Sequence, residues 1–264
     1  MPVITLTSDF GLRDPYVAEM KAVILSICPE ATIVDVSHEI RKFDVRMGAF
    51  VLASATPYFP QGTVHVAVVD PGVGTRRRPI IVETSRSLYV GPDNGLLILS
   101  AQNEEISRVY HITNRRYMLP KVSRTFHGRD VFSCAAAHLA REVPPSEFGP
   151  EIRDYVTPKF ARPTLKEGRI LGEVIHVDDF GNLITNITAK ALQKAGISEG
   201  LSISIRLEGK TLRLRLCSAY GEVSAQQPLA IIGSSDFLEV SVNQGDASEK
   251  FNAKAGSPLE VFRA

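Results

Sequence analysis

The feature that most constrains the fold is a regular alternation of short apolar runs with stretches of helical apolar spacing in the first two thirds of the chain. In chain order the pattern predicts a strand at 3–7, a helix at 16–28, a strand at 32–36, a helix at 45–56, a strand at 63–69, short strands near residues 80 and 88, and a helix at 132–141. Strands that alternate with helices are typical of an α/β domain with a largely parallel sheet. We also expect Asp14 to be the N-cap of the first helix, with Pro15 at its first position.

The pattern changes after about residue 157. Two prolines, mixed charge and few residues suited to a core predict a linker at 158–167, between an N-terminal domain at 1–157 and a C-terminal domain at 168–264. Short alternating runs follow, including a hairpin around Gly209 and one helix at 188–195. The C-terminal domain is therefore predicted to be all-β, as a small barrel or a sandwich.

Composition excludes several classes of function. The net charge of +1 over 264 residues gives no sign of a nucleic-acid partner, and no apolar run approaches the ~20 residues that span a bilayer. The first residues, MPVITLTSDFG, lack the basic start of an export signal. Three widely spaced cysteines argue against a disulfide framework and against a CxxC metal site. We expect a cytoplasmic protein with no membrane partner.

Two acidic residues directly follow predicted strands. Asp9, in TSDFG, and Asp70, in VVDPGVGTRRRP, stand where ligands bind in open α/β sheets, at the carboxyl ends of the strands. A carboxylate at Asp9 can accept both hydroxyls of a ribose, although a simple turn aspartate is an equal alternative. The dinucleotide fingerprint GxGxxG is absent here. The alternative for 70–78 is a turn with solvated arginines.

The stretch TFHGRD places His127 just before a predicted helix, with Gly128 leaving space beside it. A lone histidine is more often structural than catalytic, but Asp, Arg and His at element ends of one domain can hold and polarise a water molecule. DFG and HGRD superficially resemble kinase signatures, but their order is reversed and no glycine-rich loop accompanies them.

Two further motifs lie in the C-terminal part. In VDDFGNLITNI, an asparagine can pair with an adenine edge and a phenylalanine can stack on a base. The stretch GSSDFLEVSVNQG offers paired hydroxyls at Ser234 and Ser235, followed by a strand. Their plain alternatives are a tight turn and an edge strand.

Taken together and in order, SDFGLRDPY, VVDPGVGTRRRP, TFHGRD, DDFGNLITN and GSSDFLEVSVNQG resemble the S-adenosylmethionine (SAM) hydrolases, or SAM hydroxide adenosyltransferases. The SAM-dependent fluorinase and chlorinase are relatives of that family. The resemblance spans almost the whole chain. It implies an α/β N-terminal domain, a β C-terminal domain and a homotrimer. The nucleoside would lie between the N-terminal domain of one subunit and the C-terminal domain of its neighbour.

The resemblance also assigns residues. The family's catalytic Asp, Arg and His fall on Asp70, Arg77 and His127, which leaves Arg76 and Arg78 as the solvated arginines. The implied substrate-binding positions are Asp9 for the ribose, Asn182 and Phe180 for the adenine, Asp178 and Ser234 for the methionine ammonium and carboxylate, with Asp14, Gly128, Glu239, Val242 and Gln244. This chain has Asp236 where the family usually has glycine.

Halogenating relatives carry tyrosine at the position of Asp70 and serine at that of Gly128, so this chain resembles the branch that uses water. The implied reaction is hydrolysis of SAM to adenosine and L-methionine by attack of water or hydroxide at ribose C5′. SAM is then the substrate, and no cofactor or metal is expected. Either Asp70 or His127 could be the base. A SAM-dependent halogenase and a non-catalytic adenosine- or SAM-binding module are the alternatives.

Overall fold

The computed structural model describes residues 1–264, which divide into two compact units, Met1–Pro158 and Lys159–Ala264. We refer to them as the N-terminal and C-terminal units. None of the helices combines the length and apolarity needed to cross a membrane.

A six-stranded sheet forms the centre of the N-terminal unit. Its strands are β1 (Val3–Ser8), β2 (Thr32–Ser37), β3 (Val64–Val68), β4 (Pro79–Thr84), β5 (Leu88–Pro92) and β6 (Ile106–His111). The order across the sheet is β2-β1-β3-β5-β4-β6. The first four of these run parallel, and β4 is antiparallel to both its neighbours. The prediction of an α/β domain with a largely parallel sheet is confirmed.

Helices accompany this sheet, namely α1 (Tyr16–Ile27), α2 (Val45–Ala55), α3 (Ile98–Asn103) and α4 (Cys134–Ala140). A π-helical turn, Gly128–Ser133, runs directly into α4, so the helical region begins earlier than the sequence predicts. The prediction for the start of α1 is wrong by one residue. The N-cap is Pro15, whose carbonyl accepts from the Glu19 amide, and no side chain makes a capping hydrogen bond.

The core of the N-terminal unit lies between this sheet and α1. Ile4, Leu6 and Val66 from the strands are fully buried against Met20 and Ile24 of α1. Each such side chain stabilises the fold by roughly 1.5–3 kcal/mol. The strands carry almost continuous apolar runs because both faces of a parallel sheet are covered. Their rigid carboxyl ends therefore position the loops that follow.

The C-terminal unit is a closed barrel. Its strands are β7 (Thr164–Lys166), β8 (Arg169–Val177), β9 (Leu183–Thr188), β10 (Ser202–Leu207), β11 (Lys210–Cys217), β12 (Pro228–Ile232), β13 (Phe237–Val242) and β14 (Pro258–Arg263). Seven of them, from β8 onward, form the ring, which closes where β14 pairs with β8. Of the two predicted architectures, the barrel is therefore the one observed. The remaining strand, β7, lies within the stretch predicted as a linker, where it pairs with β8.

Two local predictions hold in this unit. The hairpin of β10 and β11 turns at Glu208 and Gly209, both with positive φ, which suits the twist of a two-residue hairpin loop. The predicted helix near 188–195 is α5 (Ala189–Lys194), and the side chain of Thr188 caps it by accepting from the Ala191 amide. A last short helix, α6 (Ala247–Phe251), is capped by Asp246.

Candidate active site

Three parallel strands end at one edge of the N-terminal sheet. Ser8 at the end of β1 pairs with Val68 at the end of β3, and β2 lies on the other side of β1. The loops after these ends surround a cavity of about 350 Å³. It is lined by Asp9, Phe10, Asp14, Tyr16, Lys42, Phe43, Val68, Asp70, Val73, Thr125, Phe126, His127 and Gly128. This is the edge at which open α/β sheets bind ligands.

A buried ion pair lies at the tip of β3. Arg77 donates from Nε to Asp70 Oδ1 over 3.0 Å and from an Nη to Oδ2. The side chains of both residues are about 95% buried, at 6% and 5% exposure. A two-point pair of this kind holds the carboxylate in one orientation.

His127 completes the cluster. An Nη of Arg77 lies 3.1 Å from His127 Nδ1. Because a guanidinium has only donors, Nδ1 must accept, and a neutral imidazole then carries its proton on Nε2. Burial, and then the positive charge of Arg77, lower the pKa of His127 in spite of Asp70 and Asp130. At neutral pH His127 is therefore an uncharged ring with an N–H to donate.

The loop between Asp70 and Arg77 is closely folded against the segment that carries His127. The Asp70 carbonyl accepts from Val73, and a Thr75 hydroxyl accepts from the Arg77 amide. Gly74 has φ +74°, and a Cβ there would lie 2.2 Å from the Arg124 carbonyl oxygen. Only glycine allows this approach. The glycine thereby fixes the distance between the Asp70 loop and the stretch that leads to His127.

Asp9 is held from the loop after β2. Its Oδ2 accepts from the Phe43 amide over 2.9 Å, and its carbonyl accepts from Lys42. The residue is 6% exposed, yet it lines the cavity. Asp14 is exposed and also lines the cavity, consistent with a carboxylate that does not cap α1. Both acids can therefore face a ligand.

Aromatic side chains form the wall beside Gly128. The rings of Phe10, Tyr16 and Phe126 contact one another with centroids 5.1–5.6 Å apart. A Cβ on Gly128 would lie 3.1 Å from Phe126 and 3.2 Å from the sulfur of Met20. Space at this position is therefore tight for any larger residue.

The prediction that Arg78 is solvated is wrong. It donates to Asp93 and to Asp154 at 2.7–2.9 Å and fastens the start of β4 to the segment around 154. A run of three arginines is usually a solvated face, but here only Arg76 is exposed. Arg77 and Arg78 form ion pairs with the buried carboxylates of Asp70 and Asp93, respectively.

The C-terminal unit has its own cavity, of about 590 Å³. It is lined by Asp178, Phe180, Asn182, Tyr220, Ile231, Ile232, Gly233, Ser234, Glu239, Val242, Gln244 and Gly245. Phe180 is 79% exposed, so its ring can receive a flat partner.

Asp178 organises the turn between β8 and β9. Its Oδ1 accepts from the amides of Phe180 and Asn182, and its Oδ2 accepts from Asn182 Nδ2 over 2.9 Å. Asn182 therefore keeps its Oδ1 and the second N–H of Nδ2 for a base edge. The two-point contact with adenine that the residue type suggests stays available.

Glu239 lies at the floor of this cavity. It is 8% exposed and accepts a hydrogen bond of 2.8 Å from the hydroxyl of Tyr220. Burial, together with the charge of Asp178, raises the pKa of Glu239 in spite of that hydrogen bond. Ser234 lies in the turn before β13, which ends in Asp236 with φ +64°. The glycine usual for the resembled family is thus replaced at a position with left-handed backbone.

The predicted residues separate into the two cavities. Asp9, Asp14, Asp70, His127 and Gly128 line the first, with Arg77 bonded behind them, and the others line the second. Sequence reasoning missed Lys42 and Phe43, although both follow the carboxyl end of a predicted strand. It also missed Tyr220, which no local pattern marks.

Comparison with known families gives two matches that together cover most of the chain. Residues 4–149 match the model of the SAM hydroxide adenosyltransferase N-terminal domain, and residues 172–260 match that of its C-terminal domain.

Individual relatives agree. An (R)-S-adenosyl-L-methionine hydrolase from Thermus thermophilus is 39% identical over 99% of this chain and 100% of its own. A hydrolase of the same name from Salinispora tropica is 36% identical, covering 98% and 97%. A fluorinase from an Actinoplanes species is 30% identical, covering 100% and 98%. The crystal structure of an uncharacterized conserved protein from Thermotoga maritima has a TM-score of 0.86 at 37% identity, covering 99% and 100%.

Proposed function

The chain belongs to the SAM hydroxide adenosyltransferase family, and from this premise we propose that it is an enzyme that hydrolyses SAM to adenosine and L-methionine. The observation that carries the proposal is the Asp70–Arg77–His127 cluster at the edge of a cavity that would hold the ribose.

The reaction is an in-line displacement at C5′ of the ribose. The C5′–S bond breaks, a bond from C5′ to a water oxygen forms, and the water gives up one proton. Because the sulfonium leaves as a neutral thioether, no acid has to protonate the leaving group, and no metal or cofactor is needed. The difficulty lies with the nucleophile, since water is weak and hydroxide is scarce at neutral pH.

We assign Asp70 as the group that accepts the proton of the water. The Nδ1 lone pair of His127 already accepts from Arg77, so the neutral ring can only donate, through Nε2. His127 then orients the water by donating to its oxygen, and Arg77 holds both partners. Base assistance of this kind contributes roughly 10²–10⁴-fold, and alignment of the attacking oxygen contributes further.

The two cavities supply the other contacts. In the first, Asp9 accepts the ribose hydroxyls, with Asp14 on the methionine side. In the second, Phe180 stacks on the adenine, Asn182 Oδ1 accepts from its amino group, and backbone near Val242 and Gln244 meets the base edge. Asp178, Ser234 and Glu239 then face the methionine.

We propose that the enzyme is a homotrimer in which the first cavity of one subunit and the second cavity of its neighbour share one substrate. Subunit mixing tests this. Asp70→Asn and Asn182→Ala subunits, each inactive alone, regain activity when unfolded and refolded together, because some interfaces then carry both native halves. Light scattering on the eluting protein gives the subunit number. A monomer, or mixtures as inactive as the parents, would exclude the arrangement.

Halogenation is the nearest alternative. A halide at the water position would face the carboxylate of Asp70, and the serine expected of a halide site would be crowded at Gly128 by Phe126 and Met20. Both features favour water.

All three cysteines are unpaired and buried, which supports the proposal of a reducing, cytoplasmic compartment.

Incubation of the purified protein with SAM in ¹⁸O-water, followed by mass spectrometry, tests the function. We expect adenosine with one ¹⁸O and unlabelled methionine. The hydrolase relatives' names specify an (R) form, and since L-methionine fixes the α-carbon, the two sulfonium epimers are assayed separately. We expect the (R) epimer to be preferred.

Two aspartate variants control this experiment. Asp70→Asn should lose turnover by orders of magnitude and still bind adenosine. Asp93→Asn changes another buried aspartate paired with an arginine but lies outside the cavity, so it should retain turnover. Chloride-dependent formation of 5′-chloro-5′-deoxyadenosine would indicate a halogenase. Bound, intact SAM would indicate a binding module.

A further inference from the structure

A buried hydroxyl–imidazole pair lies directly behind Asp9. Ser8, the last residue of β1, has its Oγ 2.7 Å from Nδ1 of His38, the first residue after β2. Ser8 is 1% exposed and His38 is 3% exposed. Neither residue lines the cavity, so any role in the reaction must act through a neighbour.

His38 fastens the loop on both sides of Asp9. Before Asp9, its ring bonds Ser8, whose Oγ also accepts from the Phe10 amide over 3.3 Å. After Asp9, its carbonyl accepts from the Gly11 amide over 2.8 Å. The backbone that carries the Asp9 carboxylate is therefore held at two points by one residue.

The charges of Asp35 and Lys21 determine which partner donates in the Ser8–His38 hydrogen bond. His38 Nε2 lies 3.1 Å from Asp35 Oδ1, and Lys21 donates to Asp35 Oδ2 over 2.5 Å. Burial raises the pKa of Asp35, but the interactions with Lys21 and His38 lower it by more, which keeps Asp35 ionised. The Nε2–Oδ1 contact is not a well-aligned hydrogen bond, so Asp35 acts mainly through its charge.

A carboxylate beside Nε2 favours the tautomer with the proton on that nitrogen. Nδ1 then accepts from the Ser8 hydroxyl, and the Ser8 oxygen keeps its lone pairs for the Phe10 amide. The direction of each hydrogen bond from His38 through Ser8 to the Phe10 amide is therefore fixed, and the loop is held in one arrangement rather than two.

We propose that Ser8 and His38 are positioning residues that hold the Asp9 carboxylate where it can meet both ribose hydroxyls. The inference rests on the proposed binding of a ribose by Asp9. It assigns to the pair the discrimination between ribose and 2′-deoxyribose, which a site gains by presenting a polar group that the deoxy ligand leaves unpaired.

The chain offers a matched control. Thr5, on the same strand, has its Oγ1 2.8 Å from Nδ1 of His65, and both residues are fully buried. Ser8→Ala and Thr5→Val each remove one buried hydroxyl–histidine hydrogen bond with little change in shape. Only the first bond is connected to the Asp9 loop. A general loss of stability affects both variants, whereas a positioning role affects one.

Isothermal titration with adenosine and with 2′-deoxyadenosine gives the ratio of their dissociation constants. We expect Ser8→Ala to reduce that ratio by on the order of tenfold, because a small displacement of a binding group has effects of this size or larger. Thr5→Val should leave it within about twofold. With SAM as substrate, Ser8→Ala should raise KM more than it lowers kcat.

A conservative variant completes the test. In His38→Asn the amide oxygen can take the place of Nδ1 and accept from Ser8, so the ratio should stay nearer that of the wild type than in His38→Leu. Equal ratios in Ser8→Ala, Thr5→Val and the wild type would overturn the inference, as would a wild type that does not distinguish the two nucleosides. Nucleoside binding needs no turnover. If SAM is not hydrolysed but the ratio falls as expected, the inference stands and the proposed reaction fails.

Discussion

Replacement of Arg77 by glutamine tests the proposed catalytic cluster of Asp70, Arg77 and His127 most directly. The guanidinium donates twice to Asp70 and once toward His127, and the Arg77 and Asp70 side chains are only 6% and 5% exposed. Glutamine is shorter and uncharged, so it leaves the Asp70 carboxylate buried without a counter-charge. Loss of one partner of a buried pair typically costs 3–5 kcal/mol, and we expect about that decrease in the free energy of unfolding.

The same change should alter the pH dependence of turnover. In the wild type, burial and the charge of Arg77 lower the pKa of His127, so the ring stays neutral to a lower pH than a free imidazole does. Without Arg77, Nδ1 loses its donor and the effect of the guanidinium charge disappears, while burial still lowers the pKa of His127 and Asp70 and Asp130 still raise it. The pKa of His127 then rises, and a protonated ring pairs with Asp70 and weakens it as a base. As pH decreases, activity of the variant should therefore begin to fall at a higher pH than activity of the wild type does.

Urea denaturation and kcat between pH 5 and 8 measure both effects. The double variant Arg77→Gln, Asp70→Asn separates them, because it removes the uncompensated charge. It should regain most of the lost stability but none of the activity. An Arg77→Gln protein within about 1 kcal/mol of the wild type, with the wild-type pH profile, would refute the reasoning on both points.

Three further predictions concern single positions. Gly74→Ala places a methyl group against the Arg124 carbonyl at φ +74°, so it should lower the free energy of unfolding by about 1–3 kcal/mol and also lower kcat. Thermal unfolding and turnover measurements check this, and an unchanged kcat would contradict it. Asp236→Gly removes a left-handed non-glycine residue, so we expect a gain in unfolding free energy of at most about 1 kcal/mol; a clear loss of stability would show that the Asp236 side chain has a role. Burial lowers the pKa of His65 to about 3. Between that pH and about 6.5, the unfolded chain therefore binds one more proton than the native chain does. The free energy of unfolding should then decrease by about 1.4 kcal/mol for each pH unit of acidification. His65→Leu should remove that one-proton contribution from urea titrations at pH 4, 5 and 6, and equal slopes would contradict it.

Elements defined by local pattern were predictable. The apolar runs of β1, β2 and β3 and the amphipathic spacing of α1 and α2 place these elements within one or two residues of their observed bounds. The hairpin of β10 and β11 was equally clear, since its turn and its alternation are adjacent in sequence. These features depend on neighbours within one element, which a sequence shows directly.

Features that depend on distant partners were not predictable. Strand β6 has a polar, mixed sequence and is defined by its pairing with β4. Arg78 looks solvated until Asp93 and Asp154 are brought beside it by the fold. Tyr220 contributes to the second cavity only because its hydroxyl reaches Glu239, nineteen positions along the chain. In each case a contact between separate segments decides the role of the residue.

The choice between water and halide also depends on such contacts. A halide about 4 Å from the Asp70 carboxylate would be repelled by about 4 kcal/mol at an effective dielectric of 20, which is roughly a thousandfold in occupancy. Arg77 offsets part of this repulsion; its Nε and one Nη are directed at Asp70 and His127, and its other Nη has no hydrogen-bond partner within the protein. A water molecule faces no such repulsion and can donate to Asp70 while it accepts from His127. The proposed roles of Asp70, Arg77 and His127 follow from their residue types, and the direction of the hydrogen bonds among them favours water over halide at this site.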